Sequence, residues 1–276
     1  RGHGCRTMTN YAPEVILECS LNARDLGGIP AAEGLRVQSG RLIRSGELSR
    51  LSPNDERYLR SIGLHTVIDL RTDNERELKS DRQIDGVLYM HLPVIEGLLP
   101  GITRESIEDP YKAFSRPDYA EKLGSNGFAV MRSLYPLLVE SDSAIKNYSR
   151  FFRLLESSEQ GAVLWHCAMG KDRAGIASAL ILYVLGASMD SIVEDYLLTG
   201  TRCAEEIRSA TEACREFTND DRVIESVYWL NTTSEEYLAA AFDTMVRMCG
   251  SVDEYIRQKL GVTEERKQRL RRNYLI

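Results

Sequence analysis

Cys167 and Arg173 stand six positions apart in the run His166-Cys167-Ala168-Met169-Gly170-Lys171-Asp172-Arg173-Ala174-Gly175. Those residue types at that spacing suit one chemistry. Backbone N–H groups of consecutive loop residues can converge on a phosphate, and a following helix N-terminus adds partial positive charge. An arginine can fork onto two of the phosphate oxygens. The same field favours the ionised form of a thiol, and a thiolate beneath a bound phosphate is placed for phosphoryl transfer to sulfur. The spacing alone is weak evidence in a chain with six cysteines. However, Cys5, Cys19, Cys203, Cys214 and Cys249 all lack an arginine six residues on.

The elements that must position this loop are legible around it. Ala162-Val163-Leu164-Trp165 reads as a buried strand bounded by Gly161, and Ile176 to Leu185 as a nearly all-apolar helix. Gly170 and Gly175 permit tight curvature and close helix packing. Further strands are expected at Arg41–Ser45, Thr66–Leu70 and Val87–Leu92, with a helix at Asn54–Ile62 after Ser52-Pro53. This alternation predicts an α/β fold, a parallel sheet with helices on both faces and the ligand beyond the carboxyl ends of the strands. Helices are expected at Ala129–Val139 and Ala144–Leu155. After Gly186 the pattern is helical throughout: Met189–Leu198, Cys203–Phe217, Ser234–Met248, Val252–Leu260 and Thr263–Asn273. Between Glu96 and Gly127 the periodicity breaks among Pro100, Pro110 and Pro117 and the aromatic Tyr111, Phe114 and Tyr119. A lid-like insertion at about 97–127 is expected there. Residues 1–19 read as an N-terminal extension and 20–276 as a single domain.

The loop is similar to the signature of the bacterial atypical tyrosine phosphatases, which act on phosphoproteins and often on phosphoinositides. Asn22-Ala23-Arg24-Asp25-Leu26-Gly27-Gly28 resembles the N-terminal element of that family. Arg41 to Leu48 and Thr66 to Thr72 resemble its early strands, while Asp195-Tyr196-Leu197 and Glu236-Tyr237-Leu238 fit its C-terminal helices. The resemblance spans roughly residues 20–275. It implies a three-layer cysteine-phosphatase fold with a central parallel sheet, a helical lid insertion and a helical C-terminal region. It also implies a metal-independent, dual-specificity phosphatase with no cofactor.

Roles follow for individual residues. Cys167 is the expected nucleophile and Arg173 the phosphoryl clamp, with the N–H groups of Ala168, Met169, Gly170, Lys171, Asp172 and Arg173 completing the cradle. His166 precedes the nucleophile, and the resemblance gives its ring a part in holding the loop and tuning the thiolate. The acid that protonates the leaving oxygen has two candidates. Asp172 lies within the loop. Glu96 ends His91-Leu92-Pro93-Val94-Ile95-Glu96, a Pro-x-x-acid pattern in which the family carries aspartate. Lys171 would add positive charge beside the phosphate, a feature the resemblance links to phosphoinositides. Arg24 and Asp25 are expected to brace the loop, and Asp69 and Asp73 to form a carboxylate–arginine network around Arg71. Ala174 departs from the family pattern, which has serine or threonine after the arginine. Breakdown of a phosphocysteine is therefore expected to be slower than its formation.

Composition narrows the alternatives. A formal charge of −6 argues against a nucleic-acid binder. No apolar run approaches the roughly 20 residues of a membrane span. Arg1 to Thr7 contains no signal-peptide apolar region, so a cytoplasmic location is expected, with export through a preceding segment left open. The histidines His3, His65, His91 and His166 show no ligand pairing, and no Cys-x2-Cys occurs, so no metal is expected. The expected partner is a phosphorylated protein or phosphoinositide substrate. Two other readings use the same loop: a phosphate-binding module without turnover, and a sulfur transferase or arsenate reductase.

Overall fold

The computed structural model describes residues 17–104, 126–216 and 218–276. A five-stranded sheet is built from β1 (Arg24–Asp25), β2 (Leu42–Ser45), β3 (Leu64–Asp69), β4 (Leu88–His91) and β5 (Ala162–His166), in the order β1-β2-β5-β3-β4. Strands β2, β5, β3 and β4 run parallel, and the two-residue β1 joins β2 antiparallel at the edge. β5 is buried at all five positions, as an apolar strand covered on both faces must be. Its side chains alternate between two cores. Val163 and Trp165 face one that includes Tyr148 and Phe151, while Ala162 and Leu164 face another with Ile43, Leu59 and Val67. The sheet is thus the middle of three layers.

The register sets the position of the site. Ser45 and Asp69 both pair with His166, and Asp69 also pairs with His91. The segments leaving β2, β3, β4 and β5 therefore emerge along one edge of the sheet, where ligands bind in such folds.

Helix starts are dictated locally. In α1 (Pro53–Ser61) Ser52 and Asp55 close a capping box with proline in the first turn. In α2 (Asp73–Leu78) Thr72 and Glu75 do the same. The helix expected over 129–139 is two, α3 (Gly127–Leu134) and α4 (Leu137–Glu140), because Pro136 supplies no N–H to continue the ladder. α5 (Asp142–Ser157) leads back to β5. α6 (Asp172–Leu185) is buried along almost its whole length and stops at Gly186, which takes φ 85°. There follow α7 (Met189–Arg202), α8 (Ala204–Arg215), α9 (Asp221–Asn231), α10 (Glu235–Cys249), α11 (Val252–Gln258) and α12 (Glu264–Tyr274). α2 and α9 were not singled out by sequence pattern. Most of the expected lid, 105–125, lies outside the described residues.

Candidate active site

β5 delivers Cys167 at the carboxyl edge of the sheet, where its side chain is buried. The chain then turns at Gly170, whose φ is 65°. A Cβ there would lie 2.5 Å from the Ser45 carbonyl oxygen, so only glycine lets the loop press against the end of β2. Gly175 is also close-packed, since a Cβ would sit 3.2 Å from Arg44 Nη2 and from the Tyr196 ring. The loop carbonyls are tied outward. Asn22 Nδ2 donates to the carbonyls of Gly170 (2.9 Å) and Met169 (3.2 Å), Arg44 Nη2 donates to Gly170 (2.7 Å), and the Glu47 N–H donates to Ala168 (3.1 Å). The N–H groups of Ala168, Met169, Gly170 and Lys171, by contrast, donate to no acceptor among the described residues. Carbonyls out and N–H groups free is the arrangement of an anion nest, and α6 begins directly behind it.

The braces converge on Asp195 of α7. Arg24 Nε lies 2.8 Å from Asp195 Oδ1 and Arg44 Nη1 2.6 Å from Oδ2, with all three side chains buried. Burial would raise the Asp195 carboxyl, but Arg24 and then Arg44 outweigh it and hold it below its ordinary range. Burial, with Arg24 beside it, pushes Arg44 down to about 10. Asp25 has a different task from Arg24: it accepts from the N–H groups of Gly27 (2.8 Å) and Gly40 (2.6 Å) and pins its own turn.

Arg173 is fully buried, and its forked pairing runs to Glu75. Nη1 lies 2.5 Å from Glu75 Oε2 and Nη2 2.9 Å from Oε1, while Nη2 also donates to the Ile102 carbonyl at 2.8 Å. Nε has no hydrogen-bond partner among the described residues. Glu75 also accepts from the Thr72 N–H (3.0 Å) and the Arg104 N–H (2.8 Å). Burial opposes its ionisation, yet Arg173 keeps its carboxyl below the ordinary range. Sequence reasoning missed Glu75. Its signal was the capping box Thr72-x-x-Glu75, which marks a helix start but not the clamp behind Arg173.

His166 is buried between two acceptors, Asp81 Oδ2 at 2.9 Å from Nε2 and the Cys167 carbonyl at 3.3 Å from Nδ1. Asp69 and Asp81 both pair with Arg71 Nη2, at 2.8 and 2.9 Å, so the network expected around Arg71 includes Asp81. Asp73 takes no part in that network, being exposed and 3.6 Å from His91 Nδ1. Asp69, Asp81 and His166 lie close enough to enclose a cation. The Arg71 guanidinium already occupies both carboxylates, so the chemistry of this group is ion pairing.

The two acid candidates sit in contrasting places. Asp172 is buried at the start of α6, accepting from Tyr135 Oη at 2.7 Å. Tyr135 Oη in turn lies 2.5 Å from Tyr196 Oη. Glu96 is exposed in the segment after β4, beyond Pro93, whose carbonyl is held by Ser143 Oγ (2.6 Å) and Asn147 Nδ2 (2.7 Å). Lys171 is 1% exposed. Its Nζ donates to the Leu230 carbonyl at the end of α9 (2.8 Å), reaches the Thr232 carbonyl (3.4 Å) and sits 3.4 Å from Asp172 Oδ1. The ammonium expected beside a substrate phosphate is thus engaged by a helix C-terminus. Cys19, Cys167, Cys203, Cys214 and Cys249 are all free thiols.

Known proteins are similar to this chain in sequence. A Cupriavidus necator protein, whose name places it provisionally among the tyrosine-protein phosphatases, is 29% identical over 242 residues, 87% of this chain and 82% of its own. The triple specificity protein phosphatase PtpB of Mycobacterium tuberculosis is 30% identical over 274 residues, 91% of this chain and 95% of its own. Residues 15–276, which include the Cys167 loop and every brace described around it, match the tyrosine phosphatase family, and the chain belongs to that family.

Proposed function

We propose that this phosphatase hydrolyses phosphate monoesters through a phosphocysteine on Cys167. The observation that carries the reading is the row of N–H groups from Ala168 to Lys171, left without acceptors among the described residues while the loop carbonyls are tied outward. Cys167 stands at one end of that row. At the other end is Arg173, whose Nε has no partner among the described residues. The thiolate attacks phosphorus, an S–P bond forms and the P–O bond to the leaving group breaks. The cradle and Arg173 stabilise charge on the non-bridging oxygens. Asp172 protonates the departing oxygen; in the second half it takes a proton from water as that water attacks phosphorus and releases the thiolate. Tyr135 holds the carboxyl of Asp172 in place.

Phosphotyrosine is the first substrate to test, and the printed name of PtpB supports a panel of more than one substrate class. Because Lys171 is committed to the carbonyls of Leu230 and Thr232, phosphoprotein is favoured over phosphoinositide. Among the described residues no helix is long and apolar enough to cross a membrane. The test is hydrolysis of p-nitrophenyl phosphate in the presence of a chelator, wild type beside Cys167→Ser. Activity that survives chelation and disappears in the variant is expected; equal activity in both proteins refutes the nucleophile.

A further inference from the structure

His166 immediately precedes Cys167, and its ring is enclosed by acceptors. Nε2 lies 2.9 Å from Asp81 Oδ2 and 3.8 Å from Asp69 Oδ1, while Nδ1 lies 3.3 Å from the Cys167 carbonyl. A neutral imidazole has one N–H and one acceptor nitrogen. Neither a carboxylate nor a carbonyl can donate to that acceptor, so both contacts are satisfied only when both nitrogens carry protons. The His166 and Asp81 side chains are 0% and 6% exposed, so water does not relieve the requirement.

We propose that Asp81 is a positioning residue that keeps His166 as an imidazolium beside the nucleophile, so that a fixed positive charge balances the Cys167 thiolate. The inference rests on the reading of Cys167 as the nucleophile. Asp81 lies in the segment after α2 and acts only through His166. It is itself fixed, accepting from the Leu48 N–H at 3.2 Å and from Arg71 Nη2 at 2.9 Å. The charged groups facing His166 are Asp81, Asp69 and Arg71. Burial pushes the ring's pKa down, Asp81 and then Asp69 push it up, and the carboxylates prevail over both burial and Arg71. Cys167 is faced by Arg173, Arg44 and the buried hydroxyl of Tyr148.

The buried charges around the loop support the assignment. Arg24, Arg44, Arg71 and Arg173 face Asp69, Asp81, Asp195 and Glu75, four cations against four anions, while Lys171 pairs with Asp172 only when that carboxyl is ionised. An imidazolium leaves one positive charge over, and a thiolate at Cys167 neutralises it. With a neutral His166 these eight paired charges leave nothing over to offset a thiolate at Cys167.

The direct test is long-range proton–nitrogen NMR of histidine-labelled wild type from about pH 6 to about pH 8. Both His166 nitrogens are expected to remain protonated throughout, and a neutral tautomer at pH 7 overturns the proposal. Asp81→Asn can turn an amide N–H₂ toward Nε2, which permits the neutral ring. In that variant the rate of Cys167 alkylation by iodoacetamide at neutral pH and kcat should each fall by about tenfold, with KM little changed. Asp81→Glu should recover part of the loss. A folded Asp81→Asn protein alkylated at the wild-type rate also overturns the proposal. If Asp81→Asn does not fold, the wild-type spectrum decides. Hydrolysis that survives Cys167→Ser would instead refute the nucleophile, leaving the spectrum to report on His166 alone.

Discussion

Replacing Glu75 with glutamine keeps the side chain's shape and removes one charge from behind Arg173. The carboxylate accepts four hydrogen bonds, from Arg173 Nη1 and Nη2 and from the backbone N–H groups of Thr72 and Arg104, and is 2% exposed. Glutamine offers one acceptor oxygen and must turn an N–H₂ toward one of these donors. At an effective dielectric of about 20, unit charges about 4 Å apart attract by about 4 kcal/mol. Unpairing a buried ion pair costs roughly 3–5 kcal/mol, because the remaining charge stays buried. Retained hydrogen bonds return part of this, so Glu75→Gln should lose about 3 kcal/mol in urea unfolding.

The kinetic effect should be larger in proportion. With its fork released, Arg173 no longer holds Nε at the cradle, and a displacement of about 1 Å costs on the order of 100-fold in kcat/KM. The pH dependence gives a third readout. The folded-state carboxyl of Glu75 lies below the ordinary 4.5, so its stabilisation is present above about that pH and is lost as the pH falls through the folded value. The variant, which lacks the carboxyl, should therefore approach wild-type stability in acid, with the gap opening between the folded value and about pH 4.5 and staying constant above it. A Glu75→Gln protein within about 1 kcal/mol and about threefold of wild type at neutral pH would refute the claim that this pair positions Arg173.

Gly170→Ala should abolish hydrolysis, because both its φ and the Ser45 carbonyl 2.5 Å from the new Cβ force the loop away from β2; full activity with p-nitrophenyl phosphate would contradict the close approach. Wild type should show a stopped-flow burst of about one equivalent of nitrophenol, which Ala174→Ser should convert to linear release by supplying a hydroxyl after Arg173; linear release by wild type removes the argument. Asp172→Asn should slow esters of poor leaving groups by about 10² to 10⁴, with a smaller loss for p-nitrophenyl phosphate, while Glu96→Gln stays near wild type. The reverse pattern would transfer the acid role to Glu96.

What could be seen in advance depended on whether a function was written locally. The Cys167 loop, β5 before it and α6 after it occupy one continuous stretch, and the apolar runs and Gly170 announced their geometry. The break at Pro136 was equally local, but the helix expectation ran over it. Glu75, Asp81, Asp195 and Tyr135 act on the loop from 92, 86, 28 and 32 residues away from Cys167 in sequence. Asp195 was noticed only as part of a resemblance, and nothing in its own neighbourhood shows that it receives Arg24 and Arg44. Lys171 shows the opposite difficulty. A lysine in a phosphate loop suggests substrate contact, whereas its destination was set by the carbonyl end of α9, a helix that was itself not singled out.

The pairings around the loop serve position more than stability. A buried ion pair recovers little beyond the cost of desolvating its members, and apolar residues of similar size often stabilise a core better. Yet Arg24, Arg44, Arg71 and Arg173 are all fully buried here and all clustered behind one loop. An apolar core could fill the same volume, but it could not turn the carbonyls of Met169 and Gly170 outward, because only donors such as Asn22 and Arg44 can bind them. Turning those carbonyls outward is what leaves the opposite N–H groups free for an anion. Arg44 is cationic and Asn22 is tied to Arg24, so this pair calls for a carboxylate from elsewhere in the fold, as do the neighbouring Arg173 and Arg71. Asp195 answers from α7, Glu75 from α2, and Asp69 and Asp81 from either side of Arg71. The loop's geometry is therefore a property of the whole sheet edge, and a defect in any one brace should weaken phosphate binding before it unfolds the protein.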